Sequence, residues 1–308
     1  MNKSPIKLWL EAFRLRTLPL ALSTIVMGTF LAADAFAFRW PVFILAVTTT
    51  LFLQILSNLA NDYGDHQHGA DNAERVGPKR SVQSGAISAT NMRVAMIVFA
   101  LLALASGIAL LAVSFNDWAK ILLFLGLGLA AIAAAVKYTA GSNPYGYRGM
   151  GDIFVFVFFG LVGTAGTYYL YANSLAEDPL GFLVFLPAIS MGCLSTGVLN
   201  LNNMRDHVPD KKAGKITLVV RLGYAKAKQY HQILILSAFG AALLFTFAHY
   251  QSIWQFSFML TAPIFVKHLR DVSQTQEPAL LDPQLKILAL STLLFSVLFG
   301  VGLFFSIG

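Results

Sequence analysis

The sequence predicts an all-α protein whose helices cross a membrane. Of its 308 residues, 56% are hydrophobic and 12% are charged, whereas soluble domains carry about 25% charged residues. The 22 basic and 15 acidic side chains are too few to cover a globule of this size in water. Cys193 is the only cysteine, so no intrachain disulfide can form. The composition therefore excludes a soluble domain, a disordered chain and a disulfide-rich secreted scaffold.

Nine stretches are apolar enough to cross a bilayer, which requires about 20 residues each. An amphipathic stretch at 6–16 precedes the first span, and we expect it to lie in the membrane interface. The weakest span is the eighth, where Trp254, Gln255 and Pro263 interrupt the apolar run. The predicted spans are 17–36, 41–61, 93–114, 119–137, 152–172, 180–202, 230–249, 252–269 and 286–307.

The distribution of basic residues predicts the topology. Nine spans place every Lys and Arg except Arg39 and Lys120 on the face that carries the N-terminus. Basic loops favour the cytoplasmic side, so we expect the N-terminus inside and the C-terminus outside. The net charge of +7 then indicates loops against an anionic leaflet rather than nucleic-acid binding. We expect one integral-membrane domain over residues 1–308.

The second predicted span ends in a cluster of acidic and amide side chains. If the helix continues to Asp65, then Asn58, Asp62 and Asp65 lie on one helical face, and Asn61 and Asp65 are also one turn apart. Gly69 allows a turn that brings Asp71 back toward this cluster.

The sixth predicted span ends in a second cluster on the same face of the membrane. Asn203 precedes Asp206 and Asp210, which are spaced by four residues, although Pro209 disfavours an uninterrupted helix here. Basic residues flank both clusters, namely Lys79, Arg80, Lys211, Lys212 and Lys215.

Carboxylates that converge at a membrane boundary must take up protons, pair with cations or bind metal. Oxygen ligands favour Mg²⁺, which uses one or two carboxylates together with phosphate oxygens of a substrate. The flanking basic residues can bind the same phosphates. The sequence therefore predicts a site for magnesium and a diphosphate at the cytoplasmic rim.

Three other interpretations compete with this one. The clusters can be ordinary polar helix ends and turns, and His66 and His68 beside Asp suggest zinc, although no zinc-binding spacing is present. A cation-coupled transporter is the functional rival. Transporter sites lie near the midplane of the bilayer, whereas these acidic residues follow the spans at one membrane face.

A glycine-rich loop joins the fourth and fifth spans. It is either a turn between helices or a segment that lends Tyr138, Tyr147 and Arg148 to the cytoplasmic site. Arg148 falls on the same membrane face as both clusters, which favours the second interpretation.

These residues resemble the UbiA superfamily of intramembrane prenyltransferases. That family has nine spans and two Asp-rich cytoplasmic motifs, NDxxDxxxD and DxxxD. Asn61, Asp62 and Asp65 match the first motif, but Gly69 stands where its last Asp is expected and Asp71 follows. This longer spacing is similar to the branch that prenylates 1,4-dihydroxy-2-naphthoate in menaquinone synthesis. Similar segments are 14–19, 77–85, 147–152 and 202–218, whereas 141–145 departs from the usual pattern.

The resemblance implies a UbiA-like helical bundle with its active site on the cytoplasmic side of the bacterial inner membrane. It implies a polyprenyl diphosphate donor, an aromatic acceptor and Mg²⁺. The acceptor is expected to be 1,4-dihydroxy-2-naphthoate, with 4-hydroxybenzoate or homogentisate as alternatives. Oligomeric state and tail length stay open.

Roles for individual residues follow from the same resemblance. The catalytic residues are expected to be Asp62, Asp65, Asp206 and Asp210. Metal ligands are expected at Asn61, Asp62, Asp65 and Asp71 for one ion and at Asp206 and Asp210 for a second. Diphosphate or acceptor is expected to contact Asn58, Lys79, Arg80, Tyr138, Arg148, Asn203, Lys211 and Lys212.

Overall fold

The computed structural model describes residues 4–70, 76–77, 80–172 and 178–306. Helices α1 to α5 are Pro5–Phe13, Leu18–Ala35, Trp40–Gln67, Ala89–Ser114 and Trp118–Lys137. Helices α6 to α9 are Gly151–Val155, Gly166–Tyr169, Phe185–Lys212 and Leu218–Leu222. Helices α10 to α12 are Tyr224–Ala248, Ala262–Gln274 and Asp282–Phe304. The prediction of an all-α protein is confirmed for these residues.

Within the described ranges, eight helical segments are long and apolar enough to cross a membrane, which makes the chain a multi-pass membrane protein. The eighth predicted span corresponds to a 3-10 helix, Ile253–Thr261, followed by α11. It is not among the eight, so the count of nine and the orientation stay predictions.

The fifth span combines α6, a π-helical stretch at Phe156–Ala165 and α7. It packs between α2 and α8 through small residues. A Cβ added at Gly28 would lie 2.4 Å from the Thr164 carbonyl oxygen, and one at Gly160 would lie 2.7 Å from the Ala188 carbonyl oxygen. Only glycine permits these backbones to approach so closely. The wall that this span forms is thereby held at a fixed distance from α2 and α8.

Two helices extend well beyond their apolar stretches. Helix α3 continues to Gln67, so the first acidic cluster lies on its last turns. Helix α8 continues through Pro209 to Lys212, so the expected break at Pro209 is wrong. A proline removes one backbone hydrogen bond, and here it does so only in the last turn, where the Pro209 carbonyl still accepts from Ala213 N.

Candidate active site

A cavity of about 420 Å³ begins beside the C-terminal ends of α3 and α8 and runs into the bundle. Along α3 its wall extends from Asp65 to Ala46, about 28 Å at 1.5 Å per residue. Its two ends differ in chemistry. The polar end is lined by Arg14, Arg16, Asn58, Asn61, Asp65, Arg80, Asn202, Arg205 and Lys215, and the deep part by Leu110, Leu111, Phe124, Phe158, Phe159 and Val162.

Asn58 attaches α3 to the N-terminal segment. Its Nδ2 donates to the Phe13 carbonyl and to Thr17 Oγ1, both at 2.9 Å. Between these two partners, Arg14 adopts a left-handed backbone conformation with φ of 51°. Asn58 therefore fixes the segment that presents Arg14 and Arg16 to the cavity.

Asp62 is buried and faces the turn that follows α3. Its two carboxylate oxygens accept from the backbone amides of Ser81, at 3.0 Å, and Val82, at 3.2 Å. The turn begins at Arg80, which lines the cavity although Asp62 does not. Asp62 thus positions the segment that carries Arg80, a role that helical spacing alone could not reveal.

Asp65 is the point at which three segments meet. Its Oδ1 accepts from Tyr147 Oη at 3.0 Å and from Lys215 Nζ at 3.2 Å. The same ammonium lies 3.9 Å from Asp210 Oδ1. Asp65 Oδ1 and Asp210 Oδ1 therefore both lie next to the same ammonium group. The two motifs meet there, as the sequence predicted.

Asp206 is bound by the neighbouring Arg205. The guanidinium donates to both carboxylate oxygens, at 2.9 Å and 2.7 Å, and also bonds Asn202 Oδ1 and Asp282. Arg205 is 1% exposed. Asp282 in turn lies 3.6 Å from Arg16, so this network joins α8, α12 and the N-terminal segment beside the cavity.

Tyr138 lies in the field of both motifs and lines the cavity. Its ring packs on the backbone of Gly151, where an added Cβ would lie 2.9 Å from Cε2. Burial raises the pKa of its hydroxyl above the ordinary value, and the negative charges of Asp152, Asp65 and Asp210 raise it further. The hydroxyl therefore stays protonated and can donate a hydrogen bond to a substrate.

The structure does not bring every expected residue to the cavity wall. Asn61 lines it and accepts from Thr139 Oγ1 at 3.2 Å. Lys211 and Lys212 are exposed beyond the wall, Asn203 is buried away from it, and Arg148 is exposed with its carbonyl bound to Arg221. Asp71 and Lys79 lie outside the described residues.

Four residues at the polar end of the cavity were absent from the expected set, namely Arg14, Arg16, Asn202 and Arg205. Arg205 stands within the second motif, which was the available signal. Lys215 was expected to bind phosphate and Tyr147 to reach the cytoplasmic site, and both contact Asp65. Nothing in the spacing indicated Asp65 as their partner.

The residues at the polar end fit a hard divalent cation. Among the described residues no group of three or more His, Cys, Asp or Glu side chains has metal-binding geometry. However, the buried carboxylates of Asp65 and Asp210 already surround one cation, the Lys215 ammonium. Carboxylate and amide oxygens with phosphate oxygens from a substrate are a usual Mg²⁺ donor set.

Two known proteins are similar to this chain over nearly its whole length. A 1,4-dihydroxy-2-naphthoate octaprenyltransferase of Haemophilus influenzae is 44% identical over 305 residues, 98% of this chain and 97% of that protein. The Escherichia coli protein of the same description is 43% identical over 298 residues, 97% of this chain and 95% of that protein.

Solved structures show the same fold. A UbiA homolog from Aeropyrum pernix in its apo form has a TM-score of 0.68 at 17% identity, over 96% of this chain and 99% of that one. A UbiA homolog from Archaeoglobus fulgidus bound to GPP and Mg²⁺ has a TM-score of 0.62 at 16% identity, over 94% and 99%. The model of the UbiA prenyltransferase family matches residues 21–287. The chain belongs to the UbiA prenyltransferase family.

Proposed function

We propose that this chain transfers a polyprenyl group from a polyprenyl diphosphate to 1,4-dihydroxy-2-naphthoate. Diphosphate and carbon dioxide leave, and the product is the quinol form of demethylmenaquinone, because no oxidation accompanies the transfer. The observation that carries the proposal is the cavity, which has a cationic and acidic end at the Asp motifs and an apolar interior. Relatives more than 40% identical over nearly the whole chain are described as octaprenyltransferases for this acceptor.

The two ends of the cavity match the two parts of the donor. Because an isoprenoid tail partitions into apolar surroundings, it is expected to lie along Leu110, Leu111 and Phe124. The diphosphate then lies at the polar end, where Arg14, Arg16 and Arg80 can take up its outer oxygens. The bond that breaks is thereby placed near Asp65.

Mg²⁺, when bound, would stabilise the negative charge that develops on the leaving diphosphate. Asn61 and Asp65 from the first motif and Asp210 from the second are the residues we propose to hold it, with Asp206 beside them. Asp62 supports the site through the Arg80 turn. Support comes from the Archaeoglobus fulgidus homolog, which is described as bound to GPP and Mg²⁺.

The walls next to the reacting carbon exclude water. Breaking the C–O bond leaves an allylic cation, which water would quench. Tyr145 and Phe154, whose rings stack next to Tyr138, line this region, and the electron-rich ring of the acceptor attacks from within it. The Tyr138 hydroxyl, which stays protonated, is available to bind the acceptor or the diphosphate.

Two alternative functions make different demands on the cavity. A different aromatic acceptor, 4-hydroxybenzoate or homogentisate, would use the same diphosphate end. A cation-coupled transporter would not need the apolar interior that continues from the acidic end. We further propose that the chain is one domain with its active site facing the cytoplasm in the bacterial inner membrane.

Membranes that contain the full chain provide the test. They are given one polyprenyl diphosphate, Mg²⁺ and equal amounts of the three aromatic acceptors, and products are read by mass spectrometry together with CO₂ release. We expect prenylated product from the naphthoate with CO₂. Product from another acceptor alone would refute the assigned substrate, and no product from any acceptor would refute prenyl transfer.

A further inference from the structure

Lys215 occupies the space between the two motifs. Its ammonium lies 3.2 Å from Asp65 Oδ1 on α3 and 3.9 Å from Asp210 Oδ1 on α8. All three side chains are at least nine-tenths buried. These three groups carry two negative charges and one positive charge. A divalent cation between the two carboxylates would balance both of them.

The backbone of Lys215 is fixed independently of its ammonium. The Lys215 amide donates to the Asp210 carbonyl at 2.8 Å, after a turn in which Gly214 has φ of 73°. The next amide, Ile216 N, donates to the Tyr147 carbonyl at 3.0 Å. Tyr147 in turn donates its hydroxyl to Asp65. This turn would stay in place if the ammonium moved.

The side chain of Lys215 is long enough to carry its ammonium to another position along the cavity wall. Lysine carries its charge on a flexible four-carbon stem, and Lys215 lines the cavity. Its ammonium also lies 5.3 Å from the centre of the Tyr147 ring. A rotation of the stem alone can carry the charge from the carboxylates toward the space where the diphosphate is placed.

We propose that the Lys215 ammonium holds the metal position between Asp65 and Asp210 until substrate arrives, and that an entering divalent cation displaces it toward the diphosphate. The inference rests on the proposed function. It explains how two buried carboxylates from distant parts of the chain stay together without metal, because an unpaired pair would repel. After displacement the Lys215 ammonium neutralises part of the negative charge of the diphosphate that binds with the metal.

The test is Mg²⁺ binding to the full chain in lipid nanodiscs, without any prenyl diphosphate, measured by calorimetry. Lys215→Met removes the competing charge, so we expect it to bind Mg²⁺ tighter than the unmodified chain by on the order of tenfold or more. Lys211→Met is the matched control, since it removes the same charge from an exposed position close by. It should stay within about twofold, because exposed charges are screened.

Addition of inorganic pyrophosphate completes the test. With Mg²⁺ present, Lys215→Met should bind pyrophosphate more weakly than the unmodified chain, since the displaced charge is missing. Equal or weaker Mg²⁺ affinity in Lys215→Met without pyrophosphate would overturn the proposal. None of these readouts requires prenyl transfer, so they fail or succeed separately from the acceptor assay.

A second measurement uses the unmodified chain and does not depend on whether Lys215→Met folds. An amine-reactive reagent labels accessible lysines, and peptides are quantified by mass spectrometry. Lys215 is buried between its partners, so labelling should be slow without metal and faster with Mg²⁺ alone, while that of Lys211 stays constant. Unchanged labelling of Lys215 at Mg²⁺ concentrations that saturate calorimetric binding would contradict displacement.

Discussion

Arg205 binds the carboxylate of the adjacent Asp206 through two hydrogen bonds, 2.9 Å and 2.7 Å long, and both residues are buried. A paired fork of this kind fixes the carboxylate in position as well as balancing its charge. The second motif therefore carries its own cation within the helix. The two acidic residues of the second motif differ in the origin of their cation. Asp206 pairs with a residue of its own helix, whereas Asp210 contacts Lys215 from the turn that follows the helix.

Arg205→Met tests this pair. Removing one partner of a buried ion pair costs about 3–5 kcal/mol, so the free energy of unfolding should fall by that order and prenyl transfer should be lost with it. Denaturant unfolding in detergent measures the change. Arg270→Met, the same substitution at an exposed guanidinium, should stay within about 0.5 kcal/mol. Equal losses in both variants would contradict a special role for the Arg205 pair.

Ser81→Pro tests whether Asp62 acts through the Arg80 turn. Proline removes the backbone N–H that donates to Asp62, so the turn should loosen and Arg80 should move. A displacement of about 1 Å in a positioning element can cost about 10²-fold in rate, and we expect a loss of that order in kcat/KM for the polyprenyl diphosphate. Ser81→Ala keeps the N–H and should retain most activity. Wild-type kinetics in Ser81→Pro would refute the positioning role.

A buried histidine pair supports the half of the bundle away from the cavity. His231 Nε2 lies 2.9 Å from His268 Nε2, and His268 Nδ1 lies 2.7 Å from Gln284 Oε1. His268→Leu leaves the His231 nitrogen without this partner, which should lower the free energy of unfolding by about 1–3 kcal/mol. The double variant with His231→Leu should lose less than the two single losses combined. Additive losses in thermal unfolding would show that the pair is not coupled.

Tyr138 gives a pH-dependent prediction. The pKa of its hydroxyl is raised above the ordinary value of 10.0 in the folded chain, so unfolding releases a proton above that pH. Its contribution to stability is present below about pH 10 and is lost as pH rises beyond it. Stability of the unmodified chain should therefore decline more steeply above pH 10 than that of Tyr138→Phe. Parallel pH profiles for the two proteins would contradict the raised pKa.

The sequence predicted the fold class, because the length of an apolar stretch can be read from local composition. It also predicted that the two motifs meet, because the distribution of basic residues placed both on one membrane face. It also predicted that Asn61 and Asp65 share a face, since helical spacing fixes which residues point together. Helical spacing does not indicate which other segment packs against a given helical face. Asp62 was expected to bind metal, and spacing could not show that its carboxylate accepts from the amides of Ser81 and Val82.

Loop residues were the least predictable part of the site. Arg148 was expected to reach the substrate because it shares a membrane face with the motifs, yet its side chain is exposed away from the cavity. Tyr147, the residue before it, was expected at the same site and does contact Asp65. In a short glycine-rich turn, neighbouring side chains can point in opposite directions. Such a turn has no regular periodicity from which the sequence could predict which of them points inward.

A double-mutant cycle on pyrophosphate binding tests most directly whether the two motifs form one diphosphate site. Asp65→Asn, Asp210→Asn and the double variant are compared with the unmodified chain, and the Kd of pyrophosphate is measured by calorimetry at fixed Mg²⁺. If both carboxylates act on one bound anion through shared metal, each single variant should lose most of the affinity and the double variant should lose little more. Additive losses, or unchanged binding in either single variant, would contradict a shared site.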